Sequence, residues 1–284
     1  MSRIEQALEK ALRMRESMTA SSSAPSRADE SADRRELPDF AGRPSVIDPA
    51  KLDHHIVCIA DPLSAAAEQY RKLKARILAS TRQNNTNTLM VASSDVAEGK
   101  SITAINLAIS LAQGIDHTVL LVDADLRKPS IARYLGIEAE RGLSEYLAGK
   151  VELPDVLIHT GIGRLVILPA GSQSDNPAEL LSSNRMKELV MEMKHRYSDR
   201  YIIFDSSPIL VSADAISLSA NVDSILLVIQ AAKTPVKVVE KAVSLIKNTP
   251  ILGVVYNNVP DYMGKNLYPY IYHSYHQDAV GLKK

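Results

Sequence analysis

Six short apolar segments, separated by stretches of helical periodicity, constrain this chain most. Thr88–Ser93 (TLMVAS), Thr118–Asp123 (TVLLVD), Arg164–Ala170 (RLVILPA), Tyr201–Asp205 (YIIFD), Asp223–Gln230 (DSILLVIQ) and Ile251–Asn257 (ILGVVYN) are β-branched and apolar at successive positions. A strand with one wet face would alternate; these do not, so both faces must be covered. The covering elements lie between them, in runs such as SITAINLAISLAQ, NRMKELVMEMKHRYS and TPVKVVEKAVSLIKN. Repeated strand and helix with doubly apolar strands predicts an α/β, doubly wound fold with a mostly parallel sheet. Ahead of the first of these strands, HIVCI (His55–Ile59) reads as a further short strand. A helix is expected from about Ser64 to Leu78, with Pro62 near its start, where the ring is tolerated.

The pattern is confined to residues 51–260. Residues 1–18 carry Ile4, Leu8, Ala11 and Leu12 at helical spacing among charges, a short amphipathic helix that is either solvated or a docking element for a partner. Residues 19–50, rich in Ser, Ala, Pro and mixed charge, are too poor in aliphatics to bury a core and read as a disordered linker. Residues 261–284 lose all periodicity and form a tail holding five of the chain's 11 tyrosines: Tyr262, Tyr268, Tyr270, Tyr272 and Tyr275. Lys+Arg and Asp+Glu both number 33, so no global basic field exists to hold nucleic acid, and no nucleic-acid partner is expected. The longest aliphatic run, Ile225–Ile229, falls far short of the roughly 18 apolar residues of a membrane span. The charged N-terminus does not read as a secretory signal, and the single cysteine, Cys58, cannot form a disulfide within the chain; a cytoplasmic protein is expected.

The chemistry concentrates where strands end. In VASSDVAEGKSITAINLA, Gly99-Lys100-Ser101 falls between a strand and a helix, the context of a phosphate-binding loop. There backbone N–H groups and the helix N-terminus cradle phosphates, the lysine reaches the β/γ oxygens and the hydroxyl ligates Mg²⁺. The loop Ser94, Asp95, Val96, Ala97, Glu98, Gly99, Lys100, Ser101 and Ile102 departs from G-x-x-x-x-G-K-[ST] at its first position, which is Ser94. Asp123 and Asp125 end the next strand and Asp205 ends YIIFD. In a parallel sheet these ends share one rim, which brings three carboxylates to Lys100, an arrangement suited to a Mg²⁺-nucleotide and to proton abstraction. For any single aspartate, capping of the following turn explains the position as well.

Taken in order, SSDVAEGKS, LLVDADLRKP and YIIFDSSP resemble the Walker A, A′ and B motifs of the bacterial tyrosine autokinases, deviant-Walker P-loop NTPases. EQYRKLK (Glu68–Lys74) is similar to that family's E-x-x-R-x-x-[RK] oligomerisation motif, NPAELLSS follows LPAG as in the family, and the tail is a tyrosine cluster. The opening MSRIEQALEKA resembles members associated with exopolysaccharide and PEP-CTERM loci.

The resemblance implies ATP and Mg²⁺, with Lys100 and Ser101 on the phosphates and metal and Asp125 and Asp205 helping to hold the metal. Asp123 would deprotonate the incoming tyrosine, and Arg127 would serve as partner of a phosphate or carboxylate. It implies autophosphorylation of the tail in trans and a homo-oligomer, expected to be a ring, joined through Glu68, Arg71 and Lys74. Taken bare, those three residues are a solvated intrahelical set worth about 0.2–0.5 kcal/mol. A separate membrane chain-length adaptor (a polysaccharide co-polymerase), a cognate tyrosine phosphatase and a peripheral location at the inner face of the membrane are further implications.

Where the family has Pro-Gly, this chain has Val96-Ala97, so Ala97 must take another path or accept strain. Two other functions compete. A MinD/ParA-type ATPase would carry a signature lysine where Asp95 stands and would lack the tyrosine tail. A nucleotide-gated module without turnover is the reading that Val96-Ala97 favours. The alternation of Tyr268, Tyr270 and Tyr272 could instead mark one face of an edge strand, the only strand position Pro269 tolerates.

Overall fold

The structure, a computed structural model, describes residues 47–81, 86–114, 117–196 and 200–260. The expected amphipathic helix at 1–18, most of the linker and the tyrosine tail lie outside them. The strands are β1 (Thr88–Ser93), β2 (Thr118–Asp123), β3 (Ile158–His159), β4 (Leu165–Leu168), β5 (Arg200–Asp205), β6 (Ser224–Gln230) and β7 (Ile251–Asn257). They form one sheet in the order β3-β4-β2-β5-β1-β6-β7. All pairings are parallel except β3 with β4. The α/β, doubly wound, mostly parallel fold expected from the strand pattern is the fold observed.

The inner strands are apolar throughout because each feeds two cores, whereas β7, at the sheet edge, leaves Val254 and Tyr256 exposed, contrary to the expectation that both of its faces are covered. Met90 and Ala92 of β1, Leu120 and Val122 of β2 and Ile202 and Phe204 of β5 face one layer. Their neighbours Leu89, Val91, Val119, Leu121, Tyr201 and Ile203 face the other. This is the period of two of a strand, read out as membership of two cores.

One layer is covered by α1 (Val57–Ala60), α2 (Ala65–Thr81), α3 (Lys100–Ala112) and α4 (Ile131–Leu135). The other is covered by α5 (Leu143–Leu147), α6 (Pro177–Ser182), α7 (Asn184–Arg196), α8 (Asp214–Ser219) and α9 (Val236–Leu245). Helix α3 is buried almost all round, because α2 packs on the side of it that the sheet leaves open.

Two boundaries differ from expectation. HIVCI is not a strand: Val57–Ala60 is a single helical turn, with Ala60 N–H donating to Ile56 O at 2.9 Å. Its polar groups are met by the buried Asn106 of α3, which accepts from Cys58 N–H at 3.0 Å and donates to His55 O at 2.9 Å. A strand there would need a sheet edge, and the edges are β3 and β7, neither paired with this segment. At the start of the folded body, Ile47 is buried in the same layer as α1, a few residues before the expected boundary at Lys51. Strand β3 has no sequence signal, being two residues long and antiparallel. Among the described residues no helix is long and apolar enough to cross a membrane.

Candidate active site

Ser94–Gly99 connects β1 to α3, and two of its residues are left-handed. Gly99 has φ 93° and Ala97 has φ 58°. At Gly99 glycine is obligatory twice over: a Cβ would also lie 2.0 Å from Asn257 Nδ2. At Ala97 the sequence left two outcomes open, and the structure shows the second. The alanine bears a left-handed conformation costing about 1–2 kcal/mol for an L-residue.

The path is held by a buried glutamate. Glu98 Oε2 accepts from Asp95 N–H at 2.9 Å, and Oε1 bonds the Thr234 hydroxyl beyond β6. Asn257, the last residue of β7, donates through Nδ2 to Glu98 O at 2.9 Å. Asp95 Oδ1 accepts from Val96 N–H at 2.7 Å, and the Ser93 hydroxyl donates to Asp95 O at 2.7 Å. A pocket of about 110 Å³ opens beside the loop, between Val96 and Glu98 on one side and Lys233, Thr234 and Val238 on the other.

The parallel register brings the acidic residues together. Asp123 and Asp205 are paired across β2 and β5, and Val91 of β1 stands opposite Asp205. Lys100 Nζ lies 2.9 Å from Asp125 Oδ2, 3.5 Å from Asp205 Oδ1 and 3.1 Å from Ser101 Oγ. Burial opposes the charge on Lys100, but Asp205 and Asp125 hold its ammonium above the ordinary range. Asp205 is fully buried, and burial raises its carboxyl against the pull of Lys100.

Burial also pushes Asp123 up, to about 7, with the charge of Asp205 adding to it. The N–H groups of Ile131 and Ser130 oppose this, donating to Asp123 Oδ2 at 3.0 and 2.9 Å, while Asp125 N–H donates to Oδ1 at 3.3 Å. Asp123 thus does cap the turn that follows it. Oδ2 has both lone pairs engaged by Ser130 and Ile131, whereas Oδ1, with one donor, keeps a lone pair for another.

Three carboxylates around one ammonium leave a surplus of negative charge, and Asp205 Oδ2 is buried with no hydrogen-bond partner. A divalent cation with oxygen ligands answers both. The residues present therefore fit Mg²⁺, with Ser101, Asp125 and Asp205 as the groups that would hold it or its waters.

The remaining sequence candidates fall in different places. Ser94 is fully buried under the loop, its hydroxyl without a partner. Ile102 packs into the α2–α3 layer and not onto the rim. Arg127 forks onto Asp214 of α8, with Nε to Oδ2 at 2.6 Å and Nη2 to Oδ1 at 3.1 Å, so its partner here is a carboxylate. Glu68 and Arg71 pair within α2 at 2.6 Å, and Arg71 also donates to Pro62 O at 2.9 Å. Lys74 is half-buried on the same helix. The five tail tyrosines lie outside the described residues. Sequence reasoning missed Thr234, Asn257 and Asp214. Of these, Asn257 carried a signal: a polar residue closing an apolar strand on the rim.

A glycine-dependent loop ahead of a buried helix, a lysine between two strand-end carboxylates and a rim set by parallel register define a P-loop NTPase of the deviant Walker type. Residues 87–251 match the AAA_31 family, described as an AAA domain. Tyrosine-protein kinase YwqD of Bacillus subtilis is 35% identical over 210 residues, 73% of this chain and 87% of that protein. The kinase domain of Escherichia coli tyrosine kinase ETK superposes with a TM-score of 0.68 at 31% identity, covering 72% of this chain and 80% of that one. The chimerical protein CapA2B2 gives the same TM-score at 26% identity, over 77% and 96% of the two chains. The chain belongs to the bacterial tyrosine-protein kinases, ATP-binding enzymes of the P-loop class.

Proposed function

We propose that this kinase transfers the γ-phosphoryl group of ATP to the hydroxyls of its own tail tyrosines, Tyr262, Tyr268, Tyr270, Tyr272 and Tyr275, in trans within an oligomer. The observation that carries the reading is Asn257. It ends β7 at the rim of Lys100 and bonds the phosphate loop itself, so the tail that follows it begins at the site. A tyrosine this near its own strand end has little slack to turn back, and a neighbouring subunit's crevice is the accessible target.

The phosphates of ATP would take the backbone cradle of Ser94–Ser101, with the N-terminus of α3 and Lys100 supplying positive charge. Mg²⁺, when bound, neutralises phosphate charge as it develops. Lys100, released from Asp125 and Asp205, is free to follow the phosphoryl oxygens. Asp123, held by three N–H groups at the rim, is the base for the phenol proton, and a carboxyl pushed up toward neutrality is matched to that task. The pocket beside Thr234 and Val238 is where the nucleoside would lie.

Glu68, Arg71 and Lys74 serve the subunit contact, in which the Glu68–Arg71 pair exchanges its partner within the helix for one across the interface. A separate membrane adaptor, implied by the resemblance of the motifs, is the partner through which the kinase acts on exopolysaccharide chain length and export. A tyrosine phosphatase would complete the cycle.

The first test replaces Lys100. Lys100→Met removes the ammonium and little volume, so tail phosphotyrosine formed in Mg²⁺-ATP should fall to background while the circular dichroism spectrum is kept. Undiminished phosphotyrosine in this variant would overturn the assignment of the site.

A further inference from the structure

Outside the nucleotide site, Asp53, His54 and His55 place one carboxylate and two imidazoles where all three donor atoms lie within 4.8 Å of one another. Consecutive side chains of an extended segment point apart. Here the two rings converge instead, their centroids 3.9 Å apart and their planes 39° from each other. Asp53 Oδ1 lies 2.8 Å from His55 Nδ1 and 3.8 Å from His54 Nδ1.

The backbone that presents these groups is held from outside the cluster. Asp53 N–H donates to Tyr134 O at 3.0 Å, His55 O accepts from Asn106 at 2.9 Å, and the adjacent Ile56 is fully buried. The rings stand out from this anchored turn, 84% and 61% exposed for His54 and His55. Neither ring packs into the core; Asp53 Oδ1 also accepts from His55 N–H at 2.9 Å, a local bond that brings His55 to the carboxylate.

We infer that Asp53, His54 and His55 form a surface site for a late first-row divalent cation of the Zn²⁺ class, with water completing the coordination. Bonds of about 2.0–2.2 Å in a tetrahedral site put donor atoms about 3.3 Å apart. The two separations from Asp53, 2.8 and 3.8 Å, bracket that value, and the imidazole donors lie within 4.8 Å of each other, so binding needs rotation of the exposed rings. Two imidazoles and one carboxylate suit Zn²⁺ and its neighbours and not Mg²⁺, which demands oxygen ligands. The site is therefore chemically distinct from the nucleotide centre, and it stands whether or not the tail is the kinase substrate.

The test titrates Zn²⁺ by calorimetry into the full chain, free of any polyhistidine tag and saturated with Mg²⁺-ADP so that the rim carboxylates are occupied. Co²⁺ absorption reports the coordination geometry. The wild type should take up one equivalent and give the intense d–d band of a tetrahedral ion. His54→Ala/His55→Ala and, separately, Asp53→Asn should each weaken binding at least tenfold. Both variants should melt with the wild type in EDTA, because the two histidines are exposed and the asparagine at the half-buried position 53 keeps an acceptor for His55 N–H. A variant with His273→Ala and His276→Ala should still bind. Absence of binding by the wild type, a loss under tenfold in the His54/His55 variant, or abolition of binding by the tail substitutions would overturn the inference.

Discussion

Replacing Ala97 by glycine isolates the strain that the phosphate loop carries. Ala97 sits at φ 58° and its side chain is exposed, so removing the methyl group forfeits almost no packing. The left-handed conformation costs an L-residue about 1–2 kcal/mol, and glycine returns about 0.5–1 kcal/mol of that through its greater freedom in the unfolded chain. The net gain is centred on about 0.75 kcal/mol within a range of about 0–1.5 kcal/mol, or up to about 6 °C in Tm for a domain of this size. The assay is thermal unfolding without nucleotide, followed by ADP binding. Because the loop already has its left-handed shape, the strain cancels between free and bound states, and ADP affinity should change by a few-fold at most. A lowered Tm would show that Ala97 is unstrained. A gain in affinity beyond tenfold, equivalent to about 1.4 kcal/mol, would show that the free loop differs from the one described.

Two further outcomes concern assembly and pH. Glu68→Ala/Arg71→Ala/Lys74→Ala should shift the unphosphorylated protein toward monomer in sedimentation, while the lost intrahelical pair lowers stability by no more than about 0.5 kcal/mol; an unchanged mass distribution would return the motif to a solvated helix face. Asp223 accepts from Asn87 and Thr88 N–H, both at 3.1 Å, and pairs with Lys194; burial opposes its charge, but these partners hold its carboxyl below the ordinary range. A depressed carboxylate gives stability that is complete above the unfolded pKa near 3.8 and is lost as pH falls through the lower folded value. Asp223→Asn should therefore flatten the acid limb of the stability curve below about pH 4, and an unaltered slope would contradict the assignment.

The strands and the rim were legible because both follow from local chemistry. The inner strands, apolar on both faces, lie between two helix layers, and an aspartate closing a parallel strand reaches the common rim, as Asp123 and Asp205 do; at the edge, β7 has the same composition with Val254 and Tyr256 exposed. What was not legible depends on partners remote in sequence. Glu98 reads as one more loop residue until Thr234 and Asn257, 136 and 159 positions away, are seen to bond it. Arg127 could be given a phosphate or a carboxylate, and only the fold brings Asp214 to its guanidinium. HIVCI has the composition of a strand, yet Asn106 meets its backbone groups and no sheet edge is offered to it, so tertiary context overrides propensity. At Ala97 the sequence posed the right alternatives, but the choice between them needed the backbone angle.

The central claim, that the rim of Lys100 phosphorylates the tail of a neighbouring subunit, is tested most directly by mixing two defective chains. One carries Lys100→Met and an intact tail; the other keeps Lys100 and has all five tail tyrosines replaced by phenylalanine. Incubated together in Mg²⁺-ATP and mapped by peptide mass spectrometry, the mixture should show phosphotyrosine on the tail of the Lys100→Met chain, where neither chain alone gives any. Lack of phosphotyrosine in the mixture, while the wild type modifies its own tail, would contradict transfer between subunits.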